Sequence, residues 1–334
     1  MVSVASLLQE MCKSTRFFNL VTILICAGLI SCVGTVPKTG TWRQVMQLQK
    51  INKIRLHSES TGSGDPILLI HGFGGSIYSW REFIPILSKS NKVITVDLKG
   101  FGHSPKPADM QYSVYDQAAL IINIIQENDL KNLTIVGHSY GGAVVLAVAL
   151  NLLDLNPNRL SKIILIDSVA YAQPKPGFIK TLRSPILSPI VFFLLSNKQL
   201  VKHVLKLAYY NNDKIPNEAV NIYSKAINSH EAKNALVQVA RNLVPSDVED
   251  LCSSYKNIRI PTLILWGRED KIVPLWVGKR LASEIPGSRL VIIEQCGHMP
   301  HEEKPEDAII IITRFLLGEA WEKKGGNING FRIR

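Results

Sequence analysis

The stretch Thr134–Val145, TIVGHSYGGAVV, sets one serine between a histidine and a tyrosine and surrounds the three with glycines. The apolar run just before it, Leu133–Val136, reads as a buried strand, and the small apolar run from Ala143 to Leu150 reads as a helix. Between them, Gly137, Ser139 and Gly141 give the G-x-S-x-G spacing. A strand that reverses straight into a helix leaves no room for side chains at the two glycines. It also forces the central residue into a sparsely populated backbone conformation. Such a turn projects the Ser139 hydroxyl outward, near a helix N-terminus whose free N–H groups favour a developing negative charge. A bare G-x-S-x-G also fits an ordinary glycine-rich turn. The strand before and the helix after are the context that makes Ser139 the candidate nucleophile.

A serine hydroxyl is a weak nucleophile at neutral pH; it needs a histidine base, and the imidazole needs a carboxylate to fix its tautomer. Of the eight histidines, His298 has the fitting surroundings: EQCGHMPHEEKPE follows the last strand and precedes a final helix over Pro305–Leu317. His301 reads as a polar loop residue, His103 belongs to a turn, and His138 points away from Ser139 within its own turn. For the acid, ILWGREDKIVP ends a strand and supplies Asp270, 28 residues before His298 with a helix and a strand between. Glu269 beside it would point elsewhere, and Asp167, ending IILID, is the competitor from the preceding strand. A tetrahedral intermediate also needs two fixed donors for its oxyanion, each worth ~3 kcal/mol. The backbone N–H of Tyr140, after the nucleophile, is one. Phe73, in the HGFGG loop at residues 71–75, is the other, with its ring lining an acyl pocket and His71 tying loops together.

Strand-like runs recur at Lys53–Glu59, Pro66–Ile70, Lys92–Asp97, Leu133–Val136, Lys162–Asp167, Thr262–Trp266 and Arg289–Ile293. Helical patterns such as Val114–Asn128 and Val277–Ile285 lie between them. The alternation predicts an α/β fold with a mostly parallel, doubly wound sheet. One interval, 172–257, has no convincing strand over its 86 residues and reads as an inserted helical cap, with 11 Lys/Arg against 6 Asp/Glu. It divides the core into 37–171 and 258–318, and a tail over 319–334 reads as flexible. The apolar run PILSPIVFFLLS within the cap must face a substrate cavity, the main domain or a membrane.

The 334 residues are 46% hydrophobic and 19% charged, which fits a globular protein with a large core. The net charge of +11 could suggest nucleic acid. No basic run with interleaved aromatics and no zinc-finger, helix-turn-helix or RRM pattern accompanies it, so nucleic acid is not an expected partner. A membrane surface is the expected one. Lys13 and Arg16 precede an apolar run from Phe17 to Val36, 20 residues, the layout of residues 1–36 as a signal peptide or membrane anchor. Leu29-Ile30-Ser31-Cys32 resembles a bacterial lipobox, which would make Cys32 a lipidated residue of an exported, membrane-associated lipoprotein. Outside this leader only Cys252 and Cys296 remain, and no C-x-x-C pair exists to hold zinc or do redox chemistry.

Taken in order, LLIHGFGGSIYSW, VITVDLKGFGHSPKP, IVGHSYGG, LILWGREDKIVP and GHMPHEEKPE resemble the α/β-hydrolase superfamily over about Leu48 to Leu317. The resemblance is to its capped serine esterases, monoacylglycerol-lipase-like and haloperoxidase-like hydrolases. It implies the α/β-hydrolase fold and a Ser139–His298–Asp270 triad in the chain order of that fold, although some relatives draw the acid from the position of Asp167. It is far less informative on substrate. The expected function is hydrolysis of carboxylic esters, lipid-derived acyl esters among them, through an acyl-enzyme, on a small-molecule or lipid ester and with no metal or organic cofactor required. The alternatives are a C–C, thioester or amide hydrolase on the same triad, and a non-catalytic ligand-binding protein on the same scaffold.

Overall fold

The continuous apolar runs of this chain sort into two cores because successive side chains on a strand point to opposite faces. The computed structural model describes residues 54–319 except 157, and the segments 327–328 and 331–333. The leader expected over 1–36, with Cys32, lies outside the described residues. The strands are β1 (Ser58–Thr61), β2 (Pro66–Ile70), β3 (Lys92–Val96), β4 (Leu133–His138), β5 (Leu160–Ile166), β6 (Thr262–Gly267), β7 (Arg289–Ile293), β8 (Asn327–Ile328) and β9 (Phe331–Ile333). They form one sheet in the order β1-β3-β2-β4-β5-β6-β7-β9-β8. The pairings from β3 through β7 are parallel. β1 and the β8–β9 pair are antiparallel additions at the two edges.

On β2, Leu68 and Ile70 enter one core while Ile67 and Leu69 enter the other. β5 and β6 divide in the same way, with Ile163, Leu165, Ile264 and Trp266 on the first side and Ile164, Ile166, Leu263 and Leu265 on the second. Strands apolar at every position are what a sheet covered on both faces requires. The first face is covered by α1 (Val114–Glu127) and α2 (Tyr140–Leu155). A reciprocal capping box starts α1: Ser113 Oγ accepts from the Asp116 N–H, and the Asp116 carboxylate accepts from the Ser113 N–H. Between β5 and β6 the chain inserts α3 (Gly177–Arg183), α4 (Leu187–Leu194), α5 (Asn197–Ala208), α6 (Asn217–Ala226), α7 (His230–Arg241) and α8 (Val248–Ser253). After β6 come α9 (Leu275–Glu284), on the first face, and α10 (Pro305–Leu316), whose Ala308, Ile311, Ile312 and Phe315 cover the second face with Trp80 and Phe83.

Two edges differ from the sequence reading. The first strand begins at Ser58, not Lys53, and residues 54–57 are not strand. All four residues of β1 are exposed, so its sequence carries no burial pattern to locate it. The tail expected to be flexible contributes β8 and β9, with Asn327 opposite Arg332 and Ile328 opposite Phe331. Asn329-Gly330 between them is the residue pair that two-residue hairpin loops prefer, a signal the composition of the tail hides.

The turn that follows β4 has no spare volume. A Cβ on Gly137 would stand 2.5 Å from the Gly141 carbonyl oxygen and 2.7 Å from Val145 Cγ2. On Gly177, at the start of α3, it would meet nothing within 4 Å. In urea denaturation Gly137→Ala should therefore lose at least about 2 kcal/mol, while Gly177→Ala should leave stability unchanged or raised. Equal stability of the two variants would contradict the packing of this turn.

Candidate active site

The parallel strands all end at one edge of the sheet, and the candidate residues stand on the loops that leave those ends. Ser139 follows β4 with φ 52 and ψ −118, a backbone conformation that costs an L-residue energy. Neighbouring chain holds it there. Its N–H donates to the Ile166 carbonyl at 2.9 Å, and its carbonyl accepts from Gly142 and Val169 at 2.9 and 3.0 Å. Ser139 Oγ lies 2.8 Å from His298 Nε2, and His298 Nδ1 lies 2.7 Å from Asp270 Oδ2. The other oxygen of Asp270 accepts from the N–H groups of Ile272 and Val273 at 2.7 and 2.9 Å, which aims the carboxylate. An ionised carboxylate can only accept, so the proton sits on Nδ1 and Nε2 is left to accept from the serine hydroxyl.

Of the acids left open by the sequence, Asp270 is the one that touches His298. Asp167 is fully buried at the end of β5, and one of its oxygens lies within 4.8 Å of both groups. Its Oδ1 accepts from the Gly267 N–H at 3.0 Å, and its Oδ2 has no hydrogen-bond partner among the described residues. Burial, and then the Asp270 charge beside it, push this carboxyl well above its ordinary range. Glu269 acts elsewhere. Its carboxylate accepts from the Cys296 N–H at 2.9 Å and ties the Asp270 loop to the His298 loop.

The HGFGG loop packs directly on the serine. A Cβ on Gly72 would be 3.0 Å from Ser139 Cβ. His71 Nδ1–H donates to the Gly72 carbonyl at 2.8 Å, and its Nε2 accepts from the Leu98 N–H at 3.0 Å, so the imidazole bridges two loops as a neutral ring. Burial lowers its pKa. Among the described residues no backbone acceptor takes the Phe73 N–H. The Tyr140 N–H belongs to the first turn of α2, where a helix offers no partner. Both residues line, with Ser139, a narrow pocket walled by Val169, Phe178, Ile179, Leu243 and Val273, with Tyr171, Gln173 and Lys175 also in its lining.

Four further residues organise the site, and the sequence reading did not find them. His138 donates from Nε2 to the His298 carbonyl at 2.8 Å, so the residue before the serine holds the backbone of the histidine. His301 is not a solvated loop residue: it is fully buried, its ring 4.3 Å from His138 and 4.9 Å from Trp80. Burial, with Arg81 nearby, lowers its pKa to about 3, so it is neutral. Glu302 accepts from Arg81 Nη1 at 2.8 Å and from Tyr223 OH at 2.6 Å, which joins the first loops, α6 and the histidine segment. Glu303 accepts from the N–H groups of Gly297, Tyr210 and Asn211 at 2.8, 3.0 and 2.7 Å. No local signal marked this pair, because acids just before a helix are ordinary.

This geometry can deprotonate a hydroxyl, stabilise the resulting imidazolium and offer two N–H donors to an oxyanion. Residues 65–305 match the family model of the alpha/beta hydrolase fold. The chain belongs to the α/β-hydrolase fold family and is a hydrolase by class. It is 30% identical over 257 residues to an uncharacterised hydrolase, YugF, of Bacillus subtilis (strain 168), spanning 77% of this chain and 91% of that one. The 2-hydroxy-6-oxo-2,4-heptadienoate hydrolase of Pseudomonas putida (strain F1) is 27% identical over 80% of this chain and 94% of its own. Lipase 1 of Psychrobacter immobilis is 26% identical over 72% and 73% of the two chains.

Asp167 gives a test of the buried electrostatics. Unfolded, it releases its proton near its ordinary value of 3.8, whereas the folded protein keeps the proton to higher pH. Stability is therefore lost as pH rises above that value toward the raised folded one. Asp167→Asn keeps an acceptor for Gly267, tolerates the left-handed φ of 42 at this position and removes the titration. Thermal unfolding at about pH 5 and about pH 8 should show the variant gaining on the wild type at the higher pH. An unchanged difference would mean that Asp167 is ionised in the folded protein at both.

Proposed function

We propose that the protein is a serine hydrolase of carboxylic esters with an apolar acyl group. Ser139 Oγ attacks the ester carbonyl carbon as its proton passes to His298 Nε2. The new oxyanion is held by the N–H groups of Phe73 and Tyr140, and Asp270 stabilises the imidazolium through Nδ1–H. Collapse expels the alcohol, which takes the proton from His298. Water, activated by the same imidazole, then releases the acid and restores the serine. The observation that carries the ester reading is the pocket beside Ser139: its walls are Phe73, Val169, Phe178, Ile179, Leu243 and Val273, the lining an acyl chain would occupy.

A second reading is hydrolysis of a C–C bond in a keto acid such as the one named for the Pseudomonas relative. Lys175 and Gln173 in the pocket lining favour it, because such a substrate carries a carboxylate for a cation and an amide to meet.

Ser139 should react covalently with a fluorophosphonate probe, and Ser139→Ala should abolish the labelling. Asp270→Asn should lower turnover ~10⁴-fold while leaving the fold intact. Asp167→Asn should stay within about threefold of wild type, since burial disfavours the charged form of this carboxyl and the amide matches its neutral form. A p-nitrophenyl ester panel should give a kcat/KM that rises from acetate to medium acyl chains. Turnover of 2-hydroxy-6-oxo-2,4-heptadienoate with no activity on any ester would decide for the second reading. Labelling that persists in Ser139→Ala would remove both.

A further inference from the structure

The helix α4 has its amphipathicity reversed. Its one buried side chain is Ser188, while Leu187, Ile190, Phe193 and Leu194 are 49%, 46%, 86% and 67% exposed. Ile186 and Leu195 at its two ends are 61% and 40% exposed, so the apolar surface is continuous along the helix. Phe192 is the side chain that turns back, packing on the core with the Lys233 ammonium 5.4 Å from its ring. Apolar groups gathered on the outside of a helix mark a surface that meets something other than water.

The charges around it say what that is. From Ala172 to Asn212 the chain has no aspartate or glutamate, yet it carries Lys175, Lys180, Arg183, Lys198, Lys202 and Lys206. The last three recur every four residues on α5, along one face, and all three are exposed. An exposed apolar helix within a stretch of chain that carries six cations and no acid is complementary to anionic headgroups over acyl chains. It does not fit a second copy of this chain, because a two-fold contact would set the same lysines against each other. Nor can it span a bilayer: eight residues reach about 12 Å.

We infer that α4 is a docking helix for an anionic lipid surface, lying in the plane of the interface with Phe193 and Leu194 among the acyl chains and the α5 lysines at the headgroups. α3 carries Phe178 and Ile179 in the pocket wall and turns by 110° into α4, so docking sets that wall next to the lipid.

Hydrogen–deuterium exchange of the full chain reads this directly. With vesicles of phosphatidylglycerol and phosphatidylcholine, amides of residues 187–195 should gain protection, and neutral phosphatidylcholine vesicles or high salt should remove it. Phe193→Glu with Leu194→Glu should abolish protection at α4, and Lys198→Gln with Lys202→Gln should weaken vesicle affinity by roughly tenfold or more. Ser139→Ala should behave as wild type, since no turnover is read, so this inference stands or falls apart from the ester chemistry. Unchanged exchange at α4 in protein that is bound to vesicles would overturn it, because attachment would then run through another segment. So would equal protection on neutral vesicles. Protection present without lipid and rising with protein concentration would assign the face to a second copy instead.

Discussion

The structure depends on how closely the turn after β4 approaches the strands on either side. Side chains are excluded at three points of that turn. At Gly137 the obstacle is Gly141 and Val145, at Gly141 it is the carbonyls of Ile70 and His71, and at Gly142 it is Ser168. The turn is thus wedged between the ends of β2 and β5, and Ser139 has no freedom to relax from φ 52. Because the loops after β2 and β5 are fixed by the same contacts, the N–H of Phe73 and the carboxyl of Asp167 inherit their positions from it. One steric constraint therefore locates the Ser139 hydroxyl, the Phe73 N–H and the Asp167 carboxyl.

Three histidines around this turn work without charge. His71, His138 and His301 are all buried, and burial lowers the pKa of each. For His138 the neighbouring His301 and His298 add to the effect. Their rings pack closely, with the centroids of His298 and His301 4.9 and 4.3 Å from that of His138, where charge on both members of a pair would repel. They keep the surroundings of His298 dry while adding no positive charge to oppose its protonation.

Much of this was legible in the chain. The strands that carry the site are apolar over most of their length, and alternation between two covered faces explains why, so their number and type could be read from short runs such as Ile163–Ile166. Ser139, His298 and Asp270 could be placed because each stands beside a strand end with a glycine close by. What stayed hidden was whatever depends on distant partners. His301 and the Glu302-Glu303 pair look like a hydrated loop, and only the arrival of Arg81, Trp80 and the insertion makes them interior groups. The bounds of the first strand were misplaced for the opposite reason: β1 is wholly exposed, so no periodicity marks where the run Lys53–Glu59 becomes strand.

The Glu303 bonds have a mechanical consequence. Its carboxylate grips Gly297 on one side and Tyr210 and Asn211 on the other, while the His298 N–H donates to the Ala208 carbonyl at 2.6 Å. The C-terminal end of α5 is therefore clamped to the segment that carries His298. The insertion's share of the described pocket lining draws nothing from α5 or α6; it comes from the entry segment, α3 and Leu243-Val244. The insertion thus divides its labour: one part is hydrogen-bonded to the segment that carries His298 and steadies the imidazole, and another walls the pocket beside Ser139.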